Sequence, residues 1–91
     1  MTHRVRLEPA AARSLGKLRG GIFVALRGVI LALGDDPRPA GCRKLVGRDL
    51  YRIRLRIDGV PWRVVYQVRD EEEVVLVTYV VRRDEATYRR I

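Results

Sequence analysis

The strictest constraint on this 91-residue chain is an alternation of charge. From Leu50 to Val68 it reads LYRIRLRIDGVPWRVVYQV, with Arg52, Arg54 and Arg56 interleaved among Tyr51, Ile53, Leu55 and Ile57. A period of two belongs to a β-strand, whose successive side chains leave on opposite faces. Three arginines therefore share one face and four apolar residues the other. Asp58-Gly59 marks a tight hairpin turn. On the returning strand Trp62, Val64 and Tyr66 take the apolar face and Arg63 joins the arginines, although Val65 blurs this second alternation. A sheet that closes over a core on one side and shows guanidinium groups on the other suits a polyanion.

The remaining segments supply the core for that sheet. His3 to Glu8 alternates Val5 and Leu7 with Arg4 and Arg6, which predicts a first strand. Pro9 suits the first turn of a helix, because its φ is fixed and its missing N–H is not needed there. A short helix follows over Ala10–Leu18, and a second over Ile22–Leu33 after the break at Gly20-Gly21. The apolar stripe of this second helix (Ile22, Phe23, Leu26, Val29, Ile30, Leu33) needs a surface wider than one helix to bury it. GDDPRPAG, residues 34–41, is the strongest loop signal. A short segment Arg43–Val46 and a turn at Gly47-Arg48-Asp49 lead into the strand Leu50–Ile57. Pro61 limits hydrogen bonding at the start of the strand Trp62–Val68. Asp70–Glu73 reads as a solvated acidic turn. Val74–Val81 is apolar on both faces, as in a central strand. Residues 82–91 read as a short helix or tail.

This order predicts an α+β domain spanning residues 1–91. It consists of an N-terminal strand, a two-helix hairpin and an antiparallel sheet of three to four strands, with the helices on one face and the arginines on the other.

Charge then narrows the class of partner. The formal net charge is +8, and seventeen of the nineteen basic residues are arginine, which forks onto phosphate and stacks on bases. Nucleic acid is favoured over an acidic protein surface. A single arginine on the outer face of a strand usually does no more than meet solvent, but four on one hairpin face point to function. The usual catalysts are scarce. His3, the one histidine, reads as a solvated residue near a terminus, and Cys42, the one cysteine, as a small buried residue. No disulfide, no zinc spacing, no glycine-rich phosphate loop and no cofactor motif is expected. The most apolar stretch is interrupted by Arg27 and is too short to span a bilayer, and the first residues lack a signal-like apolar run. Cytoplasmic residence with no membrane partner is expected.

What remains is Arg52, Arg54, Arg56, Arg63, the pair Arg82-Arg83, and Tyr88. Such a set can grip a phosphodiester, stabilise a crowded phosphorane and stack on a base. RNA carries its own nucleophile in the 2′-OH, so cleavage without a metal needs only orientation, charge stabilisation and proton transfer. Arginine is a poor base, which leaves Tyr88 as the other proton-transfer candidate.

The run DDPRPAGCRKLVGRDLYRIRLRIDGVPWRVVYQVRDEEEVVLVTYVVRRDEATYRR resembles the RelE/ParE superfamily of bacterial type II toxins. The features that carry the likeness are a D-P-R-P-x-G loop, then K-L-x-G, Y-R-I-R and W-R-V-V-Y-x-V, an acidic turn, an apolar strand and an R-R…Y ending. The resemblance implies a small toxin held inactive by a cognate antitoxin whose helix wraps it, with operator DNA bound through the antitoxin complex. In the RelE branch it implies a ribosome-dependent endoribonuclease that cleaves mRNA by 2′-OH attack. On that reading Arg52, Arg54, Arg63, Arg83 and Tyr88 are catalytic. Arg52 and Arg54 take basic positions where the branch often has lysine, and Arg63 stabilises the transition-state phosphate. Arg83, or alternatively Arg82, protonates the leaving group, and Tyr88 stacks on the substrate base. Arg56, Arg82 and Lys44 would bind RNA. The ParE branch implies the same fold acting on DNA gyrase by protein contact without catalysis. A third expectation is a regulatory member that only binds antitoxin and operator.

Overall fold

A computed structural model describes residues 2–82. The chain runs β1 (Arg4–Leu7), α1 (Pro9–Gly16), α2 (Gly20–Asp35), β2 (Arg43–Lys44), β3 (Tyr51–Ile57), β4 (Val60–Arg69) and β5 (Val74–Arg82). The strands form one sheet in the order β1-β5-β4-β3-β2. The expected α+β architecture is present, with one correction. The sheet has five strands and is mixed, because β1 pairs parallel to β5 while every other pairing is antiparallel. No hairpin turn joins β1 to a neighbour in sequence. The two helices serve as its crossover, and a crossover is what parallel pairing requires.

Local chemistry accounts for the element ends. Pro9 stands in the first turn of α1 as its missing N–H allows. Asp58 and Gly59 both take positive φ (50° and 79°) between the paired residues Ile57 and Val60, which makes a two-residue turn matched to strand twist. Counting out from that turn, Arg56 and Pro61 fall at a non-hydrogen-bonded position of the ladder, so Pro61 removes no bond to β3. This is why β4 starts at Val60, before the proline, and not at Trp62.

The core lies between the helices and one sheet face. Leu26, Ile30 and Leu33 of α2 and Ala11 and Leu15 of α1 pack with Ile57, Trp62, Val64, Tyr66, Val75, Val77 and Val80. Fully burying each of the larger side chains contributes roughly 1.5–3 kcal/mol. The C-terminal end of α2 lies directly against the chain entering β1. The His3 amide donates to the Gly34 carbonyl at 2.6 Å, and a Cβ on Gly34 would stand 2.8 Å from the His3 carbonyl oxygen.

β5 carries an irregularity that the apolar run concealed. Its register passes from Tyr66↔Val77 to Val65↔Tyr79, which leaves Thr78 as an extra residue whose hydroxyl donates to the Val65 carbonyl at 3.0 Å. The bulge reverses the phase of everything after it. Val75 and Val77 face the helices before it, and Val80 does so after it.

Candidate functional site

The sheet face turned away from the helices is where the arginines gather. Arg52, Arg54 and Arg56 alternate along β3 with core residues, and the register sets Arg54 directly across from Arg63. That pair is also a non-hydrogen-bonded one, the kind in which side chains approach most closely. Like charges placed there disfavour folding, and an anion laid over them reverses the sign of that contribution. Arg54 and Arg56 are exposed and Arg52 is half-buried.

Arg63 departs from the open surface expected of it. It sits in the central strand between β3 and β5 and keeps only 4% of its exposure, beside Val65, which is fully buried although outside the helix-side core. A guanidinium screened from water acts on a phosphate more strongly than one in bulk solvent. Arg56 donates to the Gly59 carbonyl at 3.1 Å, which ties it to the hairpin turn. Arg54, Leu55, Arg56, Pro61 and Trp62 line a shallow cleft of about 280 Å³ beside the part of β3 that β2 does not reach.

Two proposed contacts fall on the other side. Lys44 is paired with Tyr51, whose ring packs toward the core, so the register gives Lys44 to the helix side. Arg43, passed over in the sequence, is the β2 residue in line with Arg52. Arg82 is paired with the core residue Trp62 and likewise falls on the helix side, a consequence of the bulge at Thr78. Arg83 and Tyr88 lie outside the described residues. The register adds Arg4 and Arg6 to the arginine face, opposite Val74 and Leu76 of β5.

A second cluster fixes the beginning of β3. Arg38, from the proline-rich loop, donates to the Tyr51 hydroxyl at 3.1 Å and to both carboxylate oxygens of Asp70 at 3.3 and 2.8 Å, with its guanidinium carbon 5.2 Å from the Tyr51 ring centre. The Asp70 carboxylate also meets His3 Nε2 at 3.2 Å. The hydrogen bonds from Arg38 and then His3 hold the Asp70 carboxyl below its ordinary value, and the same contacts hold Arg38 more firmly protonated. His3 is thus half-buried and engaged where a solvated residue was expected, and one residue of the acidic turn is structural. The cluster joins the α2–β2 loop, the β4–β5 turn and the residue next to Arg52.

Tyr66 stacks on Tyr51 with ring centres 5.9 Å apart and donates its hydroxyl proton to the Pro37 carbonyl at 2.8 Å. Burial first, and then the neighbouring Cys42, push its hydroxyl well above the usual tyrosine range. The hydroxyl is therefore held as a donor to Pro37. Among the described residues no cluster of His, Cys, Asp and Glu could hold a metal ion, and no helix is long and apolar enough to cross a membrane.

Residues 5–87 match the family model for the ParE toxin of the type II toxin–antitoxin system parDE. Among solved structures, the chain is similar to one in the intact Escherichia coli RelBE toxin–antitoxin complex, at 32% identity and a TM-score of 0.75 over 91% of this chain and 99% of that one. It is also similar to a free E. coli RelE with two arginines replaced by alanine, at 30% identity and a TM-score of 0.74 over the full length of both. A chain of the archaeal RelE–RelB complex from Pyrococcus horikoshii OT3 matches at 26% identity and a TM-score of 0.72, over 93% of this chain and 99% of that one. No curated protein matches the sequence.

Proposed function

The chain belongs to the ParE toxin family of type II toxin–antitoxin systems, within the RelE/ParE superfamily, and from that premise we propose that it is a RelE-like toxin that cleaves mRNA on the ribosome. The observation that carries this reading is the Arg54–Arg63 pair, in register on the sheet face the helices leave uncovered and flanked by Arg52. In the proposed reaction the ribose 2′-OH gives up its proton to water as its oxygen attacks the adjacent phosphorus, and the bond to the 5′-oxygen breaks. A 2′,3′-cyclic phosphate and a free 5′-OH end result. Arg54 and Arg63 would hold the non-bridging oxygens as negative charge builds on the phosphorane, and the screening of Arg63 strengthens its part. Arg52 would position the neighbouring phosphate. The leaving oxygen must gain a proton, and the pairing of Arg82 with Trp62 supports Arg83 over Arg82 for that role. Tyr88 would stack on the substrate base.

A cognate antitoxin is the expected partner. Solved relatives of this chain include the E. coli RelBE and archaeal RelE–RelB complexes. A helix of the antitoxin would lie against the toxin, with operator DNA reached through that complex.

The second reading is a ParE-like inhibitor of DNA gyrase that acts by contact without catalysis, and the match to the ParE toxin model favours it. One paired experiment separates the two. The chain is induced without antitoxin, mRNA 5′ ends are mapped, and plasmid supercoiling is measured in the same cultures. New 5′ ends within translated messages are expected, with supercoiling intact. Growth arrest with intact messages and relaxed or broken DNA would favour the gyrase reading instead.

A further inference from the structure

The arginine face is not uniform. Along the rows of Arg52 and Arg54 it is charged on β3 and, going across the sheet, turns apolar on β5, where Tyr79 and Val81 occupy the positions in line with Val65 and Arg63. Rows of side chains follow one another about 6.7 Å apart along the strands, two residues per step. The row of Arg52, Val65 and Tyr79 therefore lies one step from the row of Arg54, Arg63 and Val81. Each row has a cation at one end and an apolar group at the other. A single-stranded nucleotide has the same polarity, with phosphate on one side and the flat base on the other.

We propose that Tyr79 is a base-stacking platform for single-stranded RNA, whose backbone runs along the β3 arginines with its bases reaching over β4 toward β5. Three independent observations support it. The Thr78 bulge is what aims the ring. Without the extra residue Tyr79 would continue the phase of Val75 and Val77 into the core, and bulges commonly re-aim a side chain in this way. The ring is also left accessible. β1 ends opposite Val77, so among the described residues β5 has no paired strand on that side at the level of Tyr79, and the residue keeps 39% of its exposure. Finally, the ring stands diagonally next to Arg63, so a base on Tyr79 carries its phosphate toward the arginines. Because every base has a π-face, such a platform is tolerant of sequence.

The inference rests on the RNA reading above, and the test separates the two. The probe is a short fluorescein-labelled oligoadenylate with 2′-O-methyl sugars, which blocks the attacking hydroxyl, and a matched oligomer without bases serves as control. Fluorescence anisotropy with the full chain gives affinity as a function of salt. Tyr79→Ala should weaken binding of the oligoadenylate about 5- to 150-fold, the equivalent of losing one base–aromatic stack. Tyr79→Phe should bind like the parent, and the baseless oligomer should not distinguish the variants. The salt dependence should stay the same in Tyr79→Ala and flatten in Arg54→Ala. Parental affinity in Tyr79→Ala, or no oligoadenylate binding by the parent chain, would overturn the inference. So would a Tyr79→Ala variant that releases antitoxin while holding RNA as before. If cleaved mRNA ends appear in cells and Tyr79→Ala binds normally, only the platform fails. If Tyr79→Ala weakens binding and no cleaved ends appear, the platform stands and the nuclease reading falls.

Discussion

Arg54 and Arg63 occupy facing positions of one ladder yet differ in surroundings, and the difference sets what each substitution should do. Arg54 is exposed, so Arg54→Ala removes a charge from the face with little effect on folding. Arg63 is almost wholly screened, and its stem packs in the central strand, so Arg63→Ala removes packing as well as charge. If both stabilise a developing phosphorane, each should lower mRNA cleavage by about 10²–10³-fold, the usual consequence of deleting one transition-state donor. Thermal melts should show Arg63→Ala alone losing stability. Cleavage at parental rates in a folded Arg54→Ala would remove that residue from the site, and the same result in Arg63→Ala would dissolve the pair. Arginine-to-lysine exchange is informative as well, since lysine keeps the charge but loses the planar fork.

At the scale of elements, what could be read in the sequence depended on whether the signal was local. The β3 alternation, the Asp58-Gly59 turn and the α2 stripe each need only neighbours a few residues apart, and each appears where the periodicity placed it. The partner of β1 and the bulge at Thr78 depend on contacts remote in sequence. An apolar run such as VVLVTYVV shows no alternation whose phase could reveal an inserted residue. That one residue decides that Arg82 falls with Trp62 and Tyr79 with the arginines, a placement that strand alternation alone cannot give. The Arg38–Asp70–His3 cluster was hidden for the same reason, as its members are 32 and 67 residues apart. Two helix glycines test the packing of α2. Gly28 has open space around its Cβ position, so Gly28→Ala should raise stability by roughly 0.5–1 kcal/mol through reduced chain entropy. Gly34 faces the His3 carbonyl at 2.8 Å and Val5 Cγ2 at 3.1 Å, so the same exchange there should instead destabilise by about 1–3 kcal/mol. Melting curves of the two variants should move in opposite directions, and a stabilised Gly34→Ala would show that α2 does not press on β1 as described.

For the molecule as a whole, the controlling property is where its charge resides. The formal charge is +8, and the register places arginines on the face turned away from the helices, from Arg56 at one end to Arg4 and Arg69 at the other. Those rows span roughly 27 Å, four steps of about 6.7 Å each. The Debye length is about 10 Å at 0.1 M salt and about 30 Å at 0.01 M. At low ionic strength the face therefore acts on an approaching acidic partner as one field, whereas at 0.1 M a charge reaches the neighbouring row but not the length of the face, and near 1 M, where the screening length is about 3 Å, each row acts nearly alone. An antitoxin helix with acidic groups toward this face should associate with a rate that falls by at least tenfold from about 0.01 to 0.5 M salt, since steering of this kind acts on encounter. Dissociation depends on packed contacts and should change much less. Stopped-flow association with the cognate antitoxin checks this directly. Arg52→Ala and Arg54→Ala should each flatten the dependence, while Arg27→Ala on exposed α2 should leave it closer to the parent's. An association rate independent of salt, with affinity intact, would mean that the antitoxin meets the helix side and leaves the arginine face to nucleic acid alone.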